Sequence, residues 1–133
     1  MYGSTTDTTA LEECKANDRY YAVTKSPRLL VAIEAQLTRV IDLTNPDIRR
    51  ALGLSLKELA AEDWRKLMAA GKESLTQVLG RAVAEVGGSG LLARSAGVKR
   101  GFNVAIFPTI CARDHLEVVE GKKLEKLGVR TKV

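Results

Sequence analysis

Hydrophobic residues recur along this chain at two spacings, and the spacing predicts which segments form helices and which form strands. In the segment 31–43, VAIEAQLTRVIDL, apolar and polar residues alternate, which favours one half-buried strand, although part of it also fits a helical period. Three further apolar runs, at 91–96, 102–108 and 115–121, predict strands late in the chain. One set of apolar residues recurs at helical spacing and predicts an amphipathic helix. Its members are Leu75, Val78, Leu79, Ala82, Val83 and Val86.

Residues whose side chains cap helices mark the predicted helix starts. They are Thr6 or Asp7, Thr44 or Asn45, Ser55, and Ser74. We expect the first helix to run from about 8 to 16 and to end at the polar segment 17–19. Ser55 and Glu58 have the spacing of a capping box, which predicts a helix continuing to about residue 71. The glycine-rich GGSG at 87–90 predicts a helix stop. A phosphate-binding loop would follow a strand and precede a helix, and GGSG lacks that context.

The order of these elements predicts the fold class. Helices dominate the middle of the chain and strands cluster at its end, so we expect an α+β fold with a mixed or antiparallel sheet core flanked by helices. A chain of 133 residues is the length of one domain, and we expect a single domain over 1–133.

Composition narrows the classes of function. The net charge is +5, but the basic residues are dispersed and only 5% of residues are aromatic, which disfavours a base-stacking surface for nucleic acid. The two cysteines, Cys14 and Cys111, form no CxxC pair, and His115 is the single histidine, so we expect no metal site. No apolar run is long enough to span a membrane and no signal peptide opens the sequence, so we expect no membrane association. Two unpaired thiols suit the reducing cytoplasm.

A polar pair, Arg94 and Ser95, lies inside the apolar run at 91–96. In an extended strand Ser95 shares a face with Leu91 and Ala93, while Arg94 points the opposite way. The small serine is the easier of the two to enclose, because it needs only a hydrogen-bond partner. Two interpretations follow: a core serine that bonds to the backbone, or a serine on the wall of a cleft.

Several segments, in order, resemble the RES-domain family of toxins from bacterial toxin–antitoxin pairs. They are YGSTTDTTALEE at 2–13, VIDLTNPDIRRALGL at 40–54, GSGLLARSA at 88–96 and GFNVAIFP at 101–108. The family is named for an arginine, a glutamate and a serine. By segment matching, the resemblance implies Glu13 and Ser95 as catalytic residues and Tyr2 as a substrate-binding residue beside Ser95. Glu12 is the alternative carboxylate, and no metal is implied.

The arginine of the family lies upstream of the matched tyrosine, where this sequence has only Met1. We therefore expect a RES-like domain that lacks the arginine segment, which puts its activity in question.

The resemblance also implies a function. RES domains are similar in fold to ADP-ribosyltransferases and consume NAD⁺ by breaking the nicotinamide–ribose bond, with water or phosphate as acceptor. The alternatives are a protein mono-ADP-ribosyltransferase and an inactive domain that only binds an antitoxin. The implied partner is a helix-turn-helix antitoxin, with DNA bound only through it, and a homo-oligomer is compatible with the resemblance. On these grounds we expect Glu13 and Ser95 to meet in space at an NAD⁺ pocket.

Overall fold

The computed structural model describes residues 1–23, 27–110 and 115–131, and the described part contains six strands, six α-helices and one short 3₁₀ helix. In chain order these are β1 (Tyr2–Ser4), α1 (Asp7–Tyr21), β2 (Ile33–Gln36), β3 (Val40–Asp42), α2 (Pro46–Ala51), α3 (Leu56–Ala61), α4 (Trp64–Ala69), α5 (Leu75–Glu85), β4 (Gly90–Arg94), β5 (Phe102–Ile106), the 3₁₀ helix (Pro108–Ile110), β6 (His115–Val118) and α6 (Gly121–Lys126).

The strands form a four-stranded mixed sheet and a separate two-stranded one. In the larger sheet the order is β1-β5-β4-β3, with β5 antiparallel to both of its neighbours and β3 parallel to β4. The smaller sheet pairs β2 with β6 in antiparallel orientation. The predicted α+β class with a mixed sheet is therefore confirmed.

The hydrophobic core lies between the larger sheet and α5. Leu43, Val83 and Leu91 are buried at its centre, and Ala93 and Ala105 pack against them. Leu91 lies opposite Ala105 in the β4–β5 ladder, so these residues share one face of the sheet. Only part of the amphipathic stripe predicted on α5 supplies the opposing surface: Val83 is 6% exposed and Leu79 packs against the core. The stripe was wrong for Val78 and Val86, which are 40% and 77% exposed, because α5 turns one side of the stripe to solvent and ends before residue 86.

The turn from α5 into β4 requires glycine at a specific position. A Cβ on Gly88 would lie 2.5 Å from the Val83 Cγ1 atom and 2.9 Å from the Val83 carbonyl oxygen, which no side chain could tolerate. Next to it, the Ser89 hydroxyl accepts from the Arg39 amide and donates to the Arg39 carbonyl, each at 3.1 Å. The glycine-rich segment is therefore a helix stop that locks β4 beside β3, as its position predicts.

Two predicted helix boundaries were wrong, the first because polar residues do not by themselves end a helix. Helix α1 continues through 17–19 to Tyr21 and ends at Ala22, whose φ of 49° is left-handed. Asp18 inside it forms an ion pair with Arg28, which makes use of the polar side chain. The helix expected to run from Ser55 to about 71 is instead two, α3 and α4, because Asp63 caps a new helix.

The segment 31–43 is extended, as predicted, but it forms two strands rather than one. β2 and β3 belong to different sheets, and the residues between them turn the chain. Helix α6, which contains the basic residues Lys122, Lys123 and Lys126, was not predicted. Within the described ranges, no helix combines the length and the apolar character needed to cross a membrane.

Candidate functional site

The structure brings Glu13, Ser95 and Asn103 into one hydrogen-bonded cluster. The Ser95 hydroxyl donates to Glu13 Oε1 at 2.5 Å across 82 residues of sequence. The Asn103 side-chain amide donates to the same oxygen at 2.8 Å. Two donors thus hold one oxygen of the carboxylate, while Oε2 has no hydrogen bond to any residue in the described ranges.

Helix α1 carries Glu13 to this position because its first turn packs closely on the loop between β4 and β5. Thr6 caps α1 by accepting from the Thr9 amide at 3.2 Å, and Thr9, one turn before Glu13, is only 2% exposed. A Cβ on Gly101 would come within 2.9 Å of Thr9 Oγ1 and Cγ2. The absence of a side chain at Gly101 is therefore what allows the helix to approach.

The direction of the Ser95 hydroxyl is fixed by its other contacts. Ser95 follows the last residue of β4, and its oxygen accepts from the amides of Gly97 at 3.2 Å and Val98 at 3.0 Å. A serine hydroxyl has one proton to donate, and with two amides directed at its oxygen that proton goes to Glu13. The hydroxyl therefore bonds to the backbone, as the first interpretation predicts, and it also orients a carboxylate. The position of Ser95 on the wall of a cleft stays a prediction.

Asn103 is the member of the cluster that the sequence analysis missed. It is the second residue of β5, is 6% exposed, and accepts from the Ser4 hydroxyl through Oδ1 at 2.7 Å. In the sheet register it lies opposite Ser4 on one side and Ala93 on the other. The available signal was a buried-strand position occupied by an amide, since such a group must find partners.

The structure also distinguishes the two neighbouring glutamates. Glu12 forms an exposed ion pair with Lys15 at 2.6 Å, and that cation lowers the pKa of its carboxyl. Glu13, about 100° further around the helix, is the one that contacts Ser95.

Tyr2 lies at the edge of the cluster, on β1. It pairs with Ala105 and, two residues before Ser4, lies on the same face of the sheet as Ser4 and Asn103. The pKa of its phenol is raised to about 12, first by desolvation and second by the negative charge of Glu13, while the positive charge of Arg65 acts in the opposite direction. Because 65% of the residue remains exposed, solvent screens the effect of this shift on folding stability.

Comparison with protein families matches the chain to the RES domain over residues 1–125 of the 133. The chain belongs to the RES-domain family. RES domains belong to toxin–antitoxin systems, so the predicted family and its biological setting are confirmed. No curated protein and no solved structure matches the chain significantly.

In this RES domain the cluster has clear chemical capabilities. A carboxylate held through one oxygen keeps a fixed direction, and its second oxygen can stabilise a positive charge that develops nearby or accept a proton. Ser95 and Asn103 position the carboxylate and are not themselves arranged as nucleophiles, because the one proton of the serine is committed to Glu13. The catalytic role of Glu13 and Ser95 and the binding role of Tyr2 remain predictions.

Other residues singled out in the sequence do not join the cluster. His115 begins β6 in the smaller sheet and contacts Glu117 at 3.4 Å. Cys111 lies outside the described residues, and Cys14 is a free, half-buried thiol. In the part of the chain that the structure describes, no group of three or more acidic, histidine or cysteine residues is placed to hold a metal ion.

Proposed function

We propose that this RES protein is the toxin of a toxin–antitoxin pair and depletes NAD⁺ by cleaving the bond between nicotinamide and ribose. The observation that carries the proposal is the Glu13 carboxylate, pinned through Oε1 by Ser95 and Asn103 with Oε2 left available. The resemblance of the sequence to NAD⁺-consuming RES toxins supplies the substrate.

The residue types suit the charge changes of this reaction. The C1′–N1 bond breaks and its electron pair leaves with nicotinamide, which departs as a neutral molecule. Positive charge therefore builds on the ribose, and a fixed carboxylate beside C1′ stabilises it. Water then forms the new C1′–O bond and releases a proton, which gives ADP-ribose. With inorganic phosphate as acceptor the phosphate takes the same carbon, which is numbered 1″ in ADP-ribose, and the product is ADP-ribose 1″-phosphate.

Tyr2 and Ser95 have supporting roles in this proposal. The exposed ring of Tyr2 offers a flat surface on which the nicotinamide can stack, and its hydroxyl stays protonated at neutral pH because the pKa is about 12. Ser95 keeps Glu13 directed at the ribose. The protein would act in the cytoplasm and be neutralised by a helix-turn-helix antitoxin, through which it reaches DNA.

The test is NAD⁺ consumption by the wild-type chain, by Glu13→Gln and by the neighbouring control Glu12→Gln. Glutamine at 13 can still accept from Ser95 but carries no negative charge, so we expect the rate to fall about a hundredfold or more. The control removes only an exposed charge, and its rate should stay within about twofold of wild type. Equal rates for wild type and Glu13→Gln would refute the proposed role.

Product analysis identifies the acceptor in the same experiment. ADP-ribose in phosphate-free buffer indicates water, its 1″-phosphate in phosphate buffer indicates phosphate, and labelling of an added protein indicates ADP-ribosyl transfer. A wild-type chain that binds its antitoxin but releases no nicotinamide would overturn the proposal in favour of a binding module.

A further inference from the structure

Arg65, in the first turn of α4, is held in an unusual environment for a cation. Its guanidinium carbon lies 4.4 Å from the centre of the Trp64 ring and 5.0 Å from the centre of the Tyr20 ring. Its Nε atom is buried and has no hydrogen-bond partner within the described residues. Aromatic faces attract a guanidinium and fix its position, but they do not satisfy its N–H groups.

Other arginines of the chain show how this residue differs. Arg49 donates to the carbonyls of Leu43 and Thr44 at 2.7 and 2.8 Å, so it has an evident structural role. Arg81 pairs with Glu73 at 2.9 Å. Within the described ranges Arg65 forms no such ion pair, although a buried donor without a partner costs free energy. An acceptor from outside cannot reach the buried Nε, but it can reach the terminal nitrogens of the guanidinium, for which no hydrogen bond is found within the described ranges.

Arg65 also acts electrostatically on Tyr2, which lies at the edge of the cluster around Glu13. Its positive charge and the negative charge of Glu13 act with opposite sign on the Tyr2 phenol, so Tyr2 feels both groups. Tyr20, which contacts the guanidinium, lies seven residues after Glu13 on α1. Seven residues are close to two helical turns, which places Tyr20 on the same side of α1 about 10 Å further along.

We infer that Arg65 binds the diphosphate of the dinucleotide substrate, with Trp64 and Tyr20 holding its guanidinium in place. The inference rests on the proposed function, because it takes the bond beside Glu13 to be the one between nicotinamide and ribose. In NAD⁺ the diphosphate is joined to that same ribose, so an anion-binding group belongs one sugar away from the carboxylate. A guanidinium can donate two parallel hydrogen bonds to phosphate oxygens, and its charge complements theirs.

The test measures binding rather than turnover, by calorimetry with two probes. ADP-ribose carries the diphosphate, and nicotinamide riboside lacks it. In Arg65→Met we expect the Kd for ADP-ribose to rise about tenfold to a hundredfold, because charge-assisted hydrogen bonds are lost. The Kd for nicotinamide riboside should change by less than about twofold, since that probe does not reach Arg65.

Two further variants make the result specific. Arg50→Met removes an exposed arginine whose partner is Asp47, and it should bind both probes as wild type does. Arg65→Lys keeps the charge and the long side chain but loses the forked donors, so we expect an intermediate loss for ADP-ribose alone. This variant gives the same comparison if the methionine variant does not fold, which its melting curve would show.

The outcomes separate this inference from the proposed function. ADP-ribose binding that is unchanged in both Arg65 variants overturns the inference, and so does an equal loss of both probes or a wild-type chain that binds neither. Wild type that binds ADP-ribose through Arg65 but leaves NAD⁺ intact supports the inference and overturns the reaction. NAD⁺ consumption that depends on Glu13 but is unchanged in the Arg65 variants supports the proposed reaction and overturns the inference about Arg65.

Discussion

Replacing Asn103 by aspartate tests the geometry of the carboxylate cluster most directly. The amide donates to Glu13 Oε1 at 2.8 Å and accepts from the Ser4 hydroxyl at 2.7 Å. Aspartate has nearly the same shape and still accepts from Ser4, but it places a second carboxylate against the first. Asn103 is 6% exposed, so little water is available to screen the repulsion.

The folded variant can either keep both carboxylates charged or protonate one of them, and the response that costs less free energy sets the expected loss of stability. Two unit charges 2.8 Å apart repel by about 6 kcal/mol at an effective dielectric constant of 20. Protonating one ordinary carboxyl, which titrates near pH 4, costs about 4 kcal/mol at pH 7. The pair will therefore share a proton, and Asn103→Asp should lower the free energy of unfolding by about 4 kcal/mol at pH 7. That is a large part of the 5–15 kcal/mol typical of a domain.

The measurement is urea denaturation of wild type, Asn103→Asp and Asn103→Ala between about pH 5 and 7. In the aspartate variant the shared proton of the two carboxyls, at 13 and 103, is held with a pKa above that of either group in the unfolded chain. Between the folded and unfolded pKa values the folded state therefore binds more protons than the unfolded state. Its stability then falls as pH rises, by about 1.4 kcal/mol per pH unit relative to wild type. The deficit should shrink from about 4 kcal/mol at pH 7 to about 1 at pH 5.

The alanine variant is the matched control for charge. It loses both side-chain hydrogen bonds of Asn103, to Glu13 and to Ser4, without adding a carboxylate, so its deficit should be about 2–4 kcal/mol and should not change over this pH range. If the aspartate deficit is equally flat, Asn103 does not face Glu13 and the description of the site is wrong.

Three further predictions concern packing, capping and titration. Gly101→Ala should destabilise the fold by about 1–3 kcal/mol in urea denaturation, because its Cβ would collide with α1, whereas Gly97→Ala in the same loop meets nothing within 4 Å and should be neutral. Ser74→Ala, at a fully buried cap, should cost about 1–2 kcal/mol, against about 0.5–1 for the exposed cap Ser55→Ala; equal costs would contradict the role of burial. The Tyr2 phenol should ionise near pH 12, whereas a free tyrosine ionises near pH 10. Because its pKa is raised in the folded state, stability should fall as pH rises between these two values. An absorbance titration that Tyr2→Phe leaves unchanged would disprove the assignment of the late ionisation to Tyr2.

Much of the fold was predictable because its signals are local. A capping serine followed three residues later by glutamate or glutamine marks helix starts at Ser55 and Ser74, and both capping boxes form. The helical spacing of apolar residues on α5 is also a local signal, and it predicts the burial of Val83 but not the exposure of Val78 and Val86. The end of α1 was not predictable in this way, since Asp18 is accommodated by an ion pair with Arg28, ten residues further along.

The contact between Glu13 and Ser95 was predicted from the family resemblance, whereas the role of Asn103 was not. Nothing local to GFNVAIFP indicates that its asparagine faces a carboxylate 90 residues earlier, because that depends on how the strands pair. The same holds for Arg65, whose aromatic neighbours come partly from α1. Contacts of this kind depend on tertiary structure, which a hydrophobic pattern does not encode.

The geometry of the candidate site depends on the register of the sheet more than on any single loop. Asn103 lies opposite Ser4 in one ladder and opposite Ala93 in the other, and both pairings direct its side chain toward Glu13. A slip of one residue along β5 would turn Asn103 to the other face and remove a donor from the carboxylate. Backbone bonds just beyond the short strand β1 oppose that slip, since the Thr5 amide donates to the Phe102 carbonyl at 3.0 Å and the Ile106 amide to the Met1 carbonyl at 2.8 Å. The residues that fix the register of β1 on β5 therefore also fix the direction of the carboxylate, although none of them needs to touch a substrate.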